Sequence, residues 1–261
     1  MKNLKLLLLT VLVSFSYSIK AQTADEILDN YFENTGGKAQ WAKLNGIKMY
    51  AKINQNGMEI PLEVTQLKDG RQMSVIKFQG KEIKQGVYDG ETLWGVNFMT
   101  QKAEKSDQET TDNMKLEAND FPNPFFNYKQ KNYTVELMGK ETVDGTETFK
   151  IKLVTEPITV DGKKEESVSY YFFDMENFVP LSIETEVKSG QFKGMTSEIK
   201  MSDYEEVDGL YFPFSMIQGI KGQESGSITI DKIELNPEVD ASEFKFPVET
   251  ETAKPAGEEK K

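Results

Sequence analysis

The 261-residue chain has no histidine, no cysteine and one arginine, Arg71. Triads built on histidine, histidine-based zinc sites and disulfide scaffolds are therefore excluded, whereas chemistry through paired carboxylates, through lysine or through carboxylate-bound calcium stays open. With 43 acidic against 31 basic residues the formal charge is −12, which argues against nucleic acid and against docking on anionic lipid head groups by charge.

Lys2 and Lys5 precede an apolar run from Leu6 to Val13 that is too short to span a bilayer. Residues 1–21 therefore read as a secretory signal cleaved after Ala21. No linker interrupts residues 22–247, which are expected to form one domain. Residues 248–261 are polar and read as a disordered tail.

Thr23-Ala24-Asp25-Glu26 is a capping box, and Ala24, Ile27, Leu28 and Tyr31 follow at helical spacing. Gly36-Gly37 closes that helix, since glycine takes the left-handed conformation cheaply. A shorter helical turn is expected around Trp41 and Leu44.

From Lys48 to about Lys102 the pattern is strands. Met49, Ala51 and Ile53 alternate with polar residues, Asn56-Gly57 turns the chain, and Ile60, Leu62 and Val64 alternate on the return. Met73, Val75 and Val87 belong to the next runs, with Trp94, Val96 and Phe98 on the last. Asp-Gly turns recur at 69–70, 89–90, 144–145, 161–162 and 208–209. The segment Val87–Phe98 reads as two strands joined at Asp89-Gly90 by a type I′ turn, with positive φ at both central residues.

Residues 106–129 break the pattern. A helix is expected over 112–118, followed by Phe121-Pro122-Asn123-Pro124-Phe125-Phe126. Two prolines exclude a central strand and three phenylalanines exclude a solvated loop, so this segment lies across the sheet as core cover or as a lid. Strands resume from Tyr133 to Leu235, and Phe244-x-Phe246 docks as a final plug. The total is eleven to thirteen strands with two or three helices, a mainly β (α+β) chain.

The acids of Asp203-Tyr204-Glu205-Glu206 and Lys163-Lys164-Glu165-Glu166 alternate out of phase with the apolar residues and read as solvated faces. Neither has the spacing of a calcium loop, so no metal and no cofactor are expected. The informative feature is apolar. One sheet face rich in Phe, Tyr, Met and Ile has few helices to cover it, so the sheet must curl toward a barrel, form a sandwich or leave a concavity.

Tyr88-Asp89-Gly90-x-x-Leu93-Trp94, the run Asp203-Tyr204-x-x-Val207-Asp208-Gly209-Leu210-x-Phe212-Pro213 and the closing Phe244-x-Phe246-Pro247 resemble the periplasmic outer-membrane lipoprotein-sorting family (LolA/LolB-like, Bacteroidetes-type). The resemblance implies a single strongly curved antiparallel sheet forming an incomplete barrel, with helices over its mouth. It also implies a cavity for acyl chains, for which exclusion from water is worth roughly 12 kcal/mol per sixteen carbons at about 0.8 kcal/mol per CH₂. The lining expected on this basis is Met49, Ile53, Leu62, Val64, Met73, Val75, Trp94, Phe98, Phe172, Ile183, Phe214 and Met216, with Phe121, Phe125 and Phe126 as lid. In that family an early-strand arginine holds the lid; Arg71 is the only residue here that could.

The expectation is a monomeric, non-enzymatic periplasmic carrier for lipid or lipoprotein acyl chains, with envelope membrane proteins as further partners and no nucleic acid. The alternatives are an envelope sensor or adaptor on the same fold, which binds a protein partner, and a carboxylate-based hydrolase.

Overall fold

The computed structural model describes residues 22–247; the expected signal segment, 1–21, and the expected tail, 248–261, lie outside the described residues. The capping box forms: the Thr23 hydroxyl accepts from Glu26 N at 3.2 Å, and the Glu26 carboxylate accepts from Thr23 N at 2.9 Å. It opens α1 (Ala24–Asn34), which buries Ile27, Leu28, Tyr31 and Phe32. Gly36 follows with φ +110°, and a Cβ there would lie 2.0 Å from Gly209 O. Only glycine lets the helix end seat against that turn, where Tyr211 N donates to Thr35 O at 3.2 Å. The short α2 (Lys38–Trp41) then buries Trp41.

The strands follow as β1 (Gly46–Gln55), β2 (Met58–Leu67), β3 (Gln72–Phe78), β4 (Lys81–Tyr88), β5 (Leu93–Val96) and β6 (Ala103–Lys105). After α3 (Gln108–Ala118) come β7 (Thr134–Val143), β8 (Thr146–Val154), a small hairpin of β9 (Ile158–Val160) and β10 (Lys163–Glu165), and β11 (Val168–Asp174). The chain ends with β12 (Pro180–Glu186), β13 (Thr196–Val207), β14 (Leu210–Ile220), β15 (Gln223–Leu235) and a 3-10 turn at Ala241–Phe244.

Thirteen strands form one antiparallel sheet in the order β6-β5-β4-β3-β2-β1-β15-β14-β13-β12-β11-β8-β7. The ladder ends at β6 and β7 without joining them, so the sheet is curled but open, as expected for an incomplete barrel. The sequence runs count slightly short because β9 and β10 form a separate pair.

Asn56-Gly57, Asp144-Gly145, Asp161-Gly162 and Asp208-Gly209 have positive φ at both residues, as two-residue hairpins require. Asp89-Gly90 does not: only Gly90 is positive. Four residues connect β4 to β5, and the Asp89 carboxylate closes the turn by accepting from Glu91 N and Thr92 N at 2.9 and 2.7 Å.

The sheet has an apolar cluster on each face. The larger, on the concave face, holds α1, Trp41, Leu44, Phe125, Tyr133 and the inward residues of most strands. The smaller packs Leu67, Met73, Val75, Val87 and Trp94 against Phe244 on the outer face. Trp94 Nε1 donates to Phe244 O at 2.8 Å, and the Phe246 ring meets the indole edge-on at 5.8 Å. The expected plug therefore docks on the outside of the sheet. Phe244→Ala should lower stability by about 3–5 kcal/mol, read as a shift in the urea midpoint; an unchanged midpoint would show that this second cluster is not a packed core.

Candidate functional site

In an antiparallel ladder directly opposed residues share a face, so the register sorts side chains without ambiguity. Met49 faces Val64, Ala51 faces Leu62 and Ile53 faces Ile60 between β1 and β2. Leu62 faces Ile76 on β3, and Ile53 faces Ile228 on β15. Ile228 faces Met216, and Met216 faces Met201. Ile199, Ile183, Tyr171 and Ile151 continue the row onto β8. These residues form one apolar trough along the concave face.

The trough is unequally filled. Ala51, Leu62, Phe149, Ile151, Leu153, Phe173, Leu210, Phe212 and Ile230 are buried beneath α1, Trp41 and the loop after α3. Toward the β1–β2 and β14–β15 turns, Ile53, Ile60, Ile76, Phe78, Ile199, Met201, Met216 and Ile228 remain only half-buried. A depression of about 360 Å³ opens there over Ile199 and Ile220, with Phe192, Gln218 and Ser225 around it. That volume is at the lower end of the roughly 300–1,000 Å³ usual for ligand sites.

Of the expected lining, Met49, Ile53, Leu62, Val64, Ile183, Phe214 and Met216 lie on this concave face. The other five do not. Met73, Val75 and Trp94 belong to the outer cluster under Phe244, because Leu62 pairs with Ile76 and Val64 with Ser74, which turns Met73 and Val75 outward. Phe172 points away from its neighbours Tyr171 and Phe173 and lies under the Lys150 ammonium, 5.1 Å from its ring centre. Phe98 sits beyond β5 in the turn to β6 and is exposed.

The Phe121–Phe126 segment covers the filled part. Phe125 is buried edge-on against Tyr171 and Phe173, at 4.6 and 5.6 Å, and Phe126 meets Phe32 at 5.9 Å. Phe121 is half-buried against the same cluster. Polar ties hold the segment to α1. Asn123 Nδ2 donates to the Tyr31 hydroxyl at 2.8 Å, and Lys129 Nζ and the Tyr128 hydroxyl both donate to Asp25, the lysine at 2.8 Å. Asp120 accepts from Lys131 and Tyr133 at 2.8 and 2.9 Å. Arg71 takes no part: its guanidinium binds Asp69 at 2.7 and 2.9 Å and lies over the Phe244 ring.

Helix α3 bridges the two arms of the sheet. Asn113 exchanges two hydrogen bonds with Thr159 on β9, at 2.7 and 2.9 Å, and Glu109 accepts from Asp161 N and Gly162 N. At its other end Ala118 packs against the turn at Gly70, and Gln72 Nε2 lies 2.8 Å from Met114 Sδ.

Among the described residues no group of acidic side chains is placed to hold a metal ion. Burial pushes the Tyr31 and Tyr171 hydroxyls well above the ordinary tyrosine range, so both stay neutral donors or acceptors within the trough. No helix among the described residues is long and apolar enough to cross a membrane.

Hydrogen bonds from Lys129 and then Tyr128 hold the Asp25 carboxyl below its ordinary value, while burial and the Asp25 carboxylate push Tyr128 up to about 12. A depressed carboxyl pKa adds stability that is complete above the unfolded value of about 3.9 and is lost as pH falls through the lower folded value. Amide exchange over residues 121–133 should therefore rise below about pH 4 before the sheet opens. Asp25→Asn should show the faster exchange already at neutral pH; equal protection in both proteins would show that this tie does not hold the segment.

In fold the chain is similar to several solved structures. A domain described as an outer membrane lipoprotein-sorting protein from Vibrio parahaemolyticus aligns over 85% of this chain and 97% of its own, at 10% identity and a TM-score of 0.51. A LolA superfamily protein from Nitrosomonas europaea aligns over 86% and 98%, at 14% identity and 0.51. A DUF1329 family protein from Desulfovibrio piger aligns over the same shares, at 14% identity and 0.50. At these identities the likeness is one of fold, and the fold is LolA-like. No curated protein matches the chain in sequence. Residues 116–246, half of the chain and the part that carries the covering loop, β7 to β15 and the closing plug, match a family model whose description reads "-like: Uncharacterized protein", and the chain belongs to that family.

Proposed function

We propose that this chain is a periplasmic, non-enzymatic carrier that holds the acyl chains of a lipid or lipoprotein against the concave face of its sheet. The observation that carries the reading is the unfilled part of the trough. Ile53, Ile60, Ile76, Met201, Met216 and Ile228 form a continuous apolar surface that the chain's own helices leave half-covered. Leaving such side chains in contact with water is unfavourable, and an acyl chain laid along them recovers about 0.8 kcal/mol per buried CH₂. Two of them are methionines, whose unbranched thioethers adjust to chains of different shape.

The fold supports the same reading, because the proteins it resembles include lipoprotein-sorting domains. The Tyr31 and Tyr171 hydroxyls, kept neutral by burial, suit a site that binds by exclusion of water.

The test is titration with a fluorescent fatty acid, together with native mass spectrometry of the purified protein. Saturable binding is expected, with mass adducts in the lipid range. Met216→Glu puts a charge into the trough and should weaken binding at least tenfold, about 1.4 kcal/mol, with an unchanged circular dichroism spectrum. No binding by the wild-type chain, combined with capture of an envelope protein, would favour the adaptor reading instead.

A further inference from the structure

Of the seven large apolar side chains exposed among the described residues, five lie at one end of the sheet: Met58 (50%), Phe98 (52%), Met99 (94%), Phe192 (45%) and Met195 (44%). The strand order places them together. The β5–β6, β3–β4, β1–β2, β14–β15 and β12–β13 connections are the same-end turns of ten consecutive strands. At about 4.8 Å per strand they follow one another along a rim of roughly 45 Å. Half-buried Phe78, Ile53 and Ile60 stand just behind these turns, and Phe192 borders the 360 Å³ depression at the end of the trough.

Charge separates this end from the other. The five turns, residues 56–57, 79–80, 97–102, 187–195 and 221–222, contain Lys102, Lys188, Lys193 and Lys221 and no carboxylate. The β8–β11 connection, residues 155–167, lies at the same end and adds Glu156, Asp161, Glu165 and Glu166 against Lys163 and Lys164, which leaves this end with a small excess of lysine. The turns at the opposite end carry Asp69, Asp89, Glu91, Asp144, Glu176 and Asp208 against Lys68 and Arg71. The overall charge of −12 thus hides an axis. Lys188, Lys221 and Lys193 are already neutralised in part, by Glu186 at 2.7 Å, Glu184 at 2.5 Å and Asp161 at 3.6 Å. Attachment must therefore come mainly from the apolar tips, with the lysines setting orientation.

We propose that this rim docks on the surface of a lipid bilayer, with Phe98, Met99 and Phe192 entering the head-group layer and Lys102 and Lys193 meeting anionic head groups. Apolar tips flanked by lysines match the interfacial layer, where stems of lysine can lie along apolar surface while the ammonium stays among phosphates. A fluid surface also needs no shape complementarity along a rim that long. The acidic turns at the far end are repelled by the same surface, so the open part of the trough faces the membrane.

The experiment is vesicle flotation of residues 22–261, which include the whole described fold, with phosphatidylcholine vesicles made with and without phosphatidylglycerol. Binding is expected to both, stronger with phosphatidylglycerol. The triple variant Phe98→Asp, Met99→Asp, Phe192→Asp should lose at least tenfold in partitioning to both. Lys102→Glu with Lys193→Glu should remove the preference for phosphatidylglycerol. Met138→Asp, an exposed apolar site away from the rim, should float like the parent. Failure of the parent to float, or flotation of the triple variant at parental level, would overturn the proposal. The fatty-acid titration is run on the same triple variant: retained binding separates loss of docking from loss of the carrier site, and flotation of a parent that binds no fatty acid would leave docking standing without the carrier reading.

Discussion

The whole structure depends on one mismatch: a large apolar sheet face and too little helix to bury it. Thirteen strands at about 4.8 Å span an arc of roughly 60 Å, whereas an eleven-residue helix is only about 16 Å long. Curling brings the arms toward the helices and shortens what must be covered. Even so, α1, α2, α3 and the Phe121–Phe126 segment close only part of the concave face. Buried aromatic contacts concentrate there, from Phe32 against Trp41 to Phe125 against Tyr171. The remainder is apolar, half-exposed and continuous.

The outer face shows how the chain deals with surplus apolar surface where it is not meant to stay open. Met73, Val75, Val87 and Trp94 would be a second exposed patch, and Phe244 and Phe246 cap it after the last strand. Arg71 joins that cap by lying across the Phe244 ring while Asp69 holds its fork in place. Covering one patch with the chain's own end while leaving the other half-covered is a difference in treatment that general packing pressure does not explain. It fits a concave face kept available for a visitor.

Much of this architecture was readable in the residues. Thr23 and Glu26 marked the helix start, the Asn-Gly and Asp-Gly pairs marked hairpins, and the alternation in β1 and β2 gave the correct face for Met49, Ile53, Leu62 and Val64. What failed was parity wherever alternation was lost. Residues Met73 to Phe78 are apolar on both faces, with Met73 and Val75 under Phe244 and Ile76 and Phe78 along the open trough. Tyr170-Tyr171-Phe172-Phe173 has four aromatics in a row, so the sequence offers no phase. Phe98 was misplaced for another reason: β5 stops at Val96, where Asn97 closes a turn by accepting from Met99 N and Thr100 N. The polar ties of the covering loop, Asn123 to Tyr31 and Lys129 to Asp25, join residues about a hundred positions apart, and nothing local in the sequence signals them.

The sheet ends at β6 and β7, and side-chain hydrogen bonds from Asn113 and Glu109, rather than strand pairing, carry α3 across to the β9–β10 hairpin. A closed barrel has a circumference fixed by its strand number and stagger. A gutter clasped by amides and carboxylates does not: its width can change while every ladder hydrogen bond stays intact. The calibre of the molecule is thus set by a clasp rather than by its sheet, and a thick or a thin occupant would strain different bonds of the clasp without asking the strands to slip.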